Sequence, residues 1–582
     1  MASFVVPDRA SPVEVSTWYG VNESVGETEI KLGESVKQTN FRITKNFKPQ
    51  KREGYKEFIS NSAETSINKA WYGTIDGKDV LIYDTDGDVY EYNFGTEGIT
   101  IIGSMDTVTD ILYFKSLLYF KSATSYKQYD GTTFTDVVGY IPTVEIGGEP
   151  DGSGAESFEE INLLTDKVIV ERLGDGSSTS FPLLFDVDSV DSVTVDGVSA
   201  TFTFTSPRTL TITSGTPVDN ADVVITCDLN DDQSTTILTN TRLIVFGPNE
   251  SQLFTWGKDN NTVYYSGLGD ATYFPVNSFI YAGTDEKPIT DMKPIYDRLI
   301  AFKSDSSHYT YVEENSLYEA NNGLNKYAYT FYNLNSKYGS LSTAEVIGST
   351  PYTLDGGAIQ KWSYQSVVNN VEPTNISDRI RLSLESVDLS SAVTFNYKKL
   401  KEYWIAIDGI IYIYNYGTDA FYMFDNIYPL WFIETDDYVY FGTENGTIER
   451  FEGQNDNGVA ISARLELAFT AFGLEEWIKN IFYEYLTIAS ATRTSCTIKY
   501  ATDEDNEEDT DEFLTAFVLM DYDDIDYADW SYATNRNPQS DTIKAKIKKF
   551  QYIKHIFTND EIDEDLTILS WKVSPTIIKE AK

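Results

Sequence analysis

Residues 403–426 read YWIAIDGIIYIYNYGTDAFYMFDN, and residues 437–453 read DYVYFGTENGTIERFEG. Ile411 and Ile413 alternate with Tyr412, Tyr414 and Tyr416, the period of two that puts successive side chains on opposite faces of a strand. Asp408-Gly409 and Asn445-Gly446 stand between the strand-like runs, and both residue types tolerate the positive φ of a tight hairpin turn. The spacing therefore predicts consecutive antiparallel hairpins, with Tyr438–Phe441 returning across the Asn445-Gly446 turn as Thr447–Phe451.

The same grammar recurs outward from this stretch. Asp-Gly pairs stand at Asp76-Gly77, Asp86-Gly87, Asp130-Gly131 and Asp196-Gly197, and strand-like text surrounds them at 80–94, 111–134, 242–265 and 298–312. Asp86 to Asp130 is 44 residues and Asp408 to Asn445 is 37, close to the roughly 40 to 50 residues of a four-stranded propeller blade. With 41 Tyr and 32 Phe among 582 residues, aromatic side chains suited to a pleated surface are abundant. The expected fold is all-β: a β-propeller-like body, an inserted small β-sandwich domain and a C-terminal β domain.

The divisions follow from shifts in composition. Residues 1–60 form an N-terminal arm and the entry to the first blade, and 61–160 and 240–457 carry blades. Between them, Glu145–Glu160 is Gly-rich and acidic and reads as a flexible linker. Residues 165–230 alternate apolar and Thr/Ser positions over short strands, as a two-sheet domain does. Residues 458–582 lack the blade grammar. There Ile543, Ala545 and Ile547 alternate with Lys544, Lys546 and Lys548, a strand with one apolar and one cationic face, and Glu475–Leu486 fits either a helix or a strand. The acidic run 503–512, continued at Asp521, Asp523, Asp524, Asp526 and Asp529, reads as a solvated loop rather than as a cover for that cationic face.

Charge and composition narrow the function. The chain has 90 Asp or Glu against 45 Lys or Arg, a net charge of −45 that repels nucleic acid and argues against binding through phosphates. Cys227 and Cys496 are the sole cysteines and His308 and His555 the sole histidines, too few for a disulfide scaffold or a zinc site of the usual kind. Two cysteines fit folding in a reducing cytosol, and neither a transmembrane span nor a secretory signal is read from the sequence.

Each candidate for chemistry has a plainer explanation. Asp84, Asp86 and Asp88 in DTDGD match the first half of a calcium loop, but the twelfth position is Gly95 rather than Glu, and turn-forming Asp explains the residues as well. His308, near Ser306 and Ser307, and His555, in the Lys-rich text, lack a nucleophile elbow and read as structural imidazoles. Gly73–Lys78 (GTIDGK) is one residue short of a phosphate-binding loop. Among so many acids some carboxylate pair always lies at hydrolase spacing, and none is singled out. Trp256, Trp404, Trp431 and Trp530 are divided between core positions and a sugar-binding platform by nothing in the sequence. The reading is of a non-enzyme with no catalytic, cofactor-binding or metal residues and no cofactor.

Residues 20–58, GVNESVGETEIKLGESVKQTNFRITKNFKPQKREGYKEF, resemble the opening of the packaged-DNA-stabilisation or tail-nozzle proteins of tailed bacteriophages. The matching positions are Gly33, Glu34, Ser35, Asn40, Lys51, Arg52, Gly54 and Tyr55, the last four as a basic K-R-x-G-Y that enters the first blade. Residues 261–309 resemble that family's strand ending in Ser-Gly, its Asp-x-x-x-Phe loop and its Arg-Leu-Ile-x-Phe strand. GDGSSTSFPL at 174–183 is similar to small β modules spliced into phage tail proteins. The resemblance implies a structural virion protein made in the host bacterial cytoplasm, a tail nozzle or tail-hub subunit. It implies a ring homo-oligomer, commonly of six copies, forming a conduit and closure for genome retention and ejection. The implied partners are the portal and adaptor proteins of the head-tail connector, tail fibre or needle proteins, and phage DNA passing through the lumen without specific binding. The alternative is a receptor-facing tail component that binds host glycans through aromatic surfaces.

Overall fold

The computed structural model describes residues 11–60, 65–231, 233–318, 325–369, 372–489, 491, 493–503, 509–518 and 538–580, with the backbone alone at 368–369, 509–518 and 539. Two compact units share the chain: one comprises 1–67, 352–363 and 373–582, the other 68–351 and 364–372. The protein is nearly all β, and its helices, such as Tyr364–Asn369 and Arg381–Glu385, are short. No helix among the described residues is long and apolar enough to cross a membrane.

The unit spanning 68–351 contains antiparallel sheets whose strands follow chain order, the pattern of propeller blades. One consists of Ala70–Ile75, Lys78–Thr85, Asp88–Asn93 and Gly98–Ser104, and the next of Asp110–Phe114, Leu117–Lys121, Tyr126–Tyr129 and Phe134–Asp136. After the insertion come Arg242–Phe246, Gln252–Trp256, Thr262–Tyr265 and Phe279–Tyr281, then Asp291–Ile295, Arg298–Phe302, Ser307–Tyr311 and Tyr332–Asn335. Consecutive sheets share apolar cores: Val80 and Ile82 pack in one cluster with Leu118 and Phe120, and Phe254 and Trp256 in another with Leu299 and Ala301.

A polar device repeats at these junctions. The Thr109 hydroxyl donates to the carbonyls of Lys121 (3.1 Å) and Thr241 (2.9 Å), and Asp110 accepts from the Leu243 amide (2.9 Å). Two blade sheets on, the Thr290 hydroxyl donates to the carbonyls of Phe302 (3.0 Å) and Ser340 (2.8 Å), and Asp291 accepts from the Ala344 amide (2.9 Å). Each Thr-Asp pair thus bonds main-chain groups at the start of the next sheet, the Thr a carbonyl and the Asp an amide.

The insertion holds a six-stranded sheet and a three-stranded sheet around a core of its own that includes Val168, Val170, Phe181, Ile212 and Ile225. Its larger sheet starts earlier than 165. Thr143–Gly148 runs parallel to Lys167–Leu173, and Glu156–Ser157 pairs with it, so much of the expected linker is an ordered sheet edge. The acidic text misled because Glu145 is paired with the buried Arg172.

In the other unit, Val393–Tyr397, Glu402–Ile407, Ile410–Asn415 and Ala420–Asp425 form the expected hairpins and continue into a ten-stranded sheet. Both faces are covered, since Ile411, Tyr412, Ile413 and Tyr414 are all buried. The sheet continues through Gly20–Val21 and Glu34–Thr39 of the N-terminal arm to Ala463–Leu467, Ile553–Asn559, Arg493–Thr502 and Asp509–Val518. The C-terminal region is β as expected and is hydrogen-bonded to the arm. Tyr55–Ser60, read as the entry to the first blade, instead pairs antiparallel with Thr447–Phe451 as the fourth strand beside Trp431–Glu434 and Val439–Gly442, in a sheet that runs on to Asn455–Asp456 and Val459–Ala460. The last blade takes its fourth strand from ahead of the first, a pairing made by backbone groups that carry no sequence signature.

Other details depart from expectation. Asp76, Asp86, Asp196 and Asp408 have positive φ together with their glycines, whereas at 130–131 and 445–446 only the glycine does and the loops are wider. The Lys-rich strand is broken: Gln539–Ile543 and Ile547–Phe550 lie in different sheets, with Lys546 at φ +54, although Ile543, Ala545 and Ile547 are buried as read. Residues 475–486 supply strands, Trp477–Ile481 and the start of Glu484–Ile488. The acids 504–512 and 521–529 and Trp530 lie outside the residues whose side chains are described.

Candidate functional site

Asn40, Lys51, Arg52 and Gly54 of the resembling segment 20–58 converge on the joint between the N-terminal arm, the last blade and the C-terminal strands. Arg52 and Asn40 are buried at its centre. The Arg52 guanidinium clasps Asp456 through two parallel hydrogen bonds of 2.8 and 2.6 Å. It also donates to Asn40 (2.9 Å) and to the carbonyls of Glu53 (3.0 Å) and Asp425 (3.2 Å). Asn40 in turn donates to Asp425 (2.5 Å) and to the Ser462 carbonyl (2.8 Å). Buried Lys51 donates to Asn559 (2.5 Å) and the Glu561 carbonyl (3.1 Å), and burial lowers its pKa to about 8. Gly54 is required by close approach, because a Cβ there would sit 2.0 Å from the Asn455 carbonyl oxygen. Gly33, at φ +96, lies against the Thr17 carbonyl in the same way. Tyr55 packs edge-on against Phe441 at 5.3 Å.

Beside this joint opens a cleft of about 890 Å³ lined by Arg42, Lys45, Tyr397, Lys399, Lys401 and Glu402 among others. Glu402 is fully buried and accepts from Trp404 (2.8 Å), Tyr422 (2.7 Å) and Arg42 Nη2 (3.4 Å), forming a buried ion pair with that guanidinium. Burial opposes the charge on Arg42, but Glu402 together with Tyr422, Glu53 and Tyr397 outweighs it and the pKa is raised. Lys45, Lys399 and Lys401 are exposed, and their ammonium groups form no ion pair among the described residues.

The residues singled out from sequence lie elsewhere, and several have structural roles. Asp84 accepts from the amides of Lys69 (2.7 Å) and Val108 (3.1 Å), and its buried carboxyl has a raised pKa. Asp88 accepts from Ser104. Asp86 forms a turn, and no cluster of three potential metal ligands occurs among the described residues. His308 is half-buried against Gly283, and burial and Lys303 lower its pKa. His555 is on the strand Ile553–Asn559, one strand on from the Lys-rich text, and is buried with Glu484 (3.0 Å) and the ring of Trp571 (4.5 Å). Gly73–Lys78 is a hairpin. Trp256, Trp404 and Trp431 are buried. The thiols of Cys227 and Cys496 are buried and pushed up to about 12. Sequence reading missed Arg42, Glu402 and the lysines at 399 and 401, whose signal was the basic KKLK hairpin at 398–401 in an acidic chain.

No family model matches the chain, and no curated protein does. Among solved structures, the computationally designed Ika8 protein aligns over 68% of this chain and 98% of its own at 11% identity and a TM-score of 0.34. PorZ, a surface component of the type-IX secretion system of Porphyromonas gingivalis, aligns over 71% of this chain and 42% of its own at 14% identity and a TM-score of 0.33. A chain of a mitotic checkpoint complex aligns over 74% and 98% at 9% identity and a TM-score of 0.34. Likenesses this distant carry no argument about function.

Proposed function

We propose that the protein is a structural virion component of a tailed bacteriophage, a tail nozzle or tail-hub subunit that assembles into a ring and serves as conduit and closure for the genome. The observation that carries the reading is the role of the resembling segment. Asn40, Lys51, Arg52 and Gly54 are committed to holding the arm, the last blade and the C-terminal strands together, and Gly33 to a close approach within the arm. These are the residues expected of an assembly protein whose motifs are architectural. Net charge supports the same reading, because an anionic wall repels phosphates and lets DNA leave without adhering. Imaging of purified phage particles carrying a label at the C-terminus of this chain tests it. The label is expected in a symmetric ring at the tail end; its absence from particles overturns the proposal.

The glycan-binding alternative draws on one observation. Tyr309, Tyr311 and Tyr332 lie together at centroid distances of 5.6 to 6.4 Å, with Arg298 4.1 Å over Tyr309, and Tyr311 and Tyr332 are exposed. Such a surface offers flat faces for sugar rings. Retention on host polysaccharide that is lost in Tyr311→Ala/Tyr332→Ala favours this reading; equal retention of both proteins removes it.

A further inference from the structure

We propose that the cleft beside the arm joint is a receptor for an acidic, aromatic peptide segment supplied by a second copy of this chain. The inference rests on the homo-oligomer of the reading above. In a chain with two carboxylates for every cation, Lys45, Lys399 and Lys401 gather at one opening without ion pairs among the described residues; of the carboxylates that also line it, Glu402 and Glu452 are paired with Arg42 and Arg450, burial raises the pKa of Asp565, and Glu53 and Asp437 complete the set. Arg42 is held charged behind them by Glu402, and the half-buried Tyr397 and Tyr438 form part of the wall. Three ammonium groups on long stems suit carboxylates spaced along a strand, because each lysine presents a mobile point charge rather than a fixed fork. At about 890 Å³ the cleft admits a short extended peptide and not a duplex. The chain itself encodes a segment of the complementary chemistry: residues 521–530 read DYDDIDYADW, five aspartates with two tyrosines and a tryptophan.

The test uses the full chain and a fluorescein-labelled peptide of sequence DYDDIDYADW, read by anisotropy at low salt. Wild type is expected to bind the peptide, more weakly as salt rises. Exchanging the exposed lysines in K399Q/K401Q is expected to weaken binding about tenfold, as loss of two exposed ion pairs implies. A peptide with its five aspartates replaced by asparagine is expected not to bind. Equal affinity for K399Q/K401Q, or for the asparagine peptide, overturns the proposal, as does equally effective competition by duplex DNA. Failure of wild type to bind while a variant with asparagine at all five positions does bind also overturns it, since the copy's own segment then fills the cleft. Ring formation is scored separately by imaging, so the two readings fail independently.

Discussion

Replacing Asp456 with asparagine removes the carboxylate from a guanidinium that is almost wholly withdrawn from water. The side chains of Arg52 and Asp456 are 1% and 9% exposed, and the two bonds between them are bidentate. Removing one partner of such a pair leaves an uncompensated buried charge and costs about 3–5 kcal/mol. Arg52 keeps Asn40 and two carbonyls in Asp456→Asn, which places that variant near the lower end, about 3 kcal/mol. Arg52→Met orphans the carboxylate and removes every one of these donors, so its cost lies near the upper end, about 5 kcal/mol. Hydrogen exchange by mass spectrometry resolves this locally, which suits a chain divided into two compact units. The reporting amides are Gly54, Glu452 and Asn457, bonded respectively to the carbonyls of Gly453, Gly54 and Tyr55. Their opening free energy is expected to drop by these amounts, while the Leu243 amide in the other unit stays unchanged. A loss below about 1 kcal/mol in Asp456→Asn, the range of an exposed pair, would refute the reasoning.

Further expectations concern the rest of the molecule. Lys121 is fully buried, bonded to the carbonyls of Ile237 and Leu238, and burial lowers its pKa from 10.5 to about 7. The unfolded chain therefore binds the extra proton between pH 7 and 10.5, and stability rises with pH by up to about 1.4 kcal/mol per unit across that window. Urea melts of Lys121→Met should lack this rise, and an identical pH profile would contradict the assignment. Glu484→Leu leaves the donors of His555 and Trp571 unpaired in the core and should cost about 2–4 kcal/mol in a denaturant melt, whereas a loss under about 1 kcal/mol rejects the trio. Gly54→Ala drives a Cβ into backbone and should expose the 55–60 strand to limited proteolysis, while Gly26→Ala, with open space around it, should digest like wild type. The insertion, with its own core, should fold when expressed as residues 141–231, with dispersed NMR amide shifts; a collapsed spectrum would show that it depends on the blades.

What the sequence displayed was what local chemistry controls. Asp408-Gly409 announces its hairpin because both residues must take positive φ, and Val168, Val170 and Ile225 announce the insertion's core by alternation. The pairing of Tyr55–Ser60 with Thr447–Phe451 was hidden because its bonds are main-chain bonds between strands far apart in sequence. The Thr109-Asp110 and Thr290-Asp291 pairs were legible only as a short repeat before a strand, and their meaning needs the next sheet's backbone in place. Asp84 was weighed as half of a calcium loop against a turn residue; in the structure its carboxylate accepts from the amides of Lys69 and Val108. The KKLK turn at 398–401 was legible, but not that Lys45 joins it at one cleft, because the two loops are far apart in sequence and the chain's net charge of −45 masks a local cationic cluster.

The measurement that bears most directly on the proposed function is cryo-electron microscopy of the purified full-length chain. A closed ring of identical copies around a lumen wide enough for duplex DNA, its wall rich in Asp and Glu, is the expected result. A chain that remains monomeric at high concentration, or a ring whose lumen is lined with Lys and Arg, would contradict it.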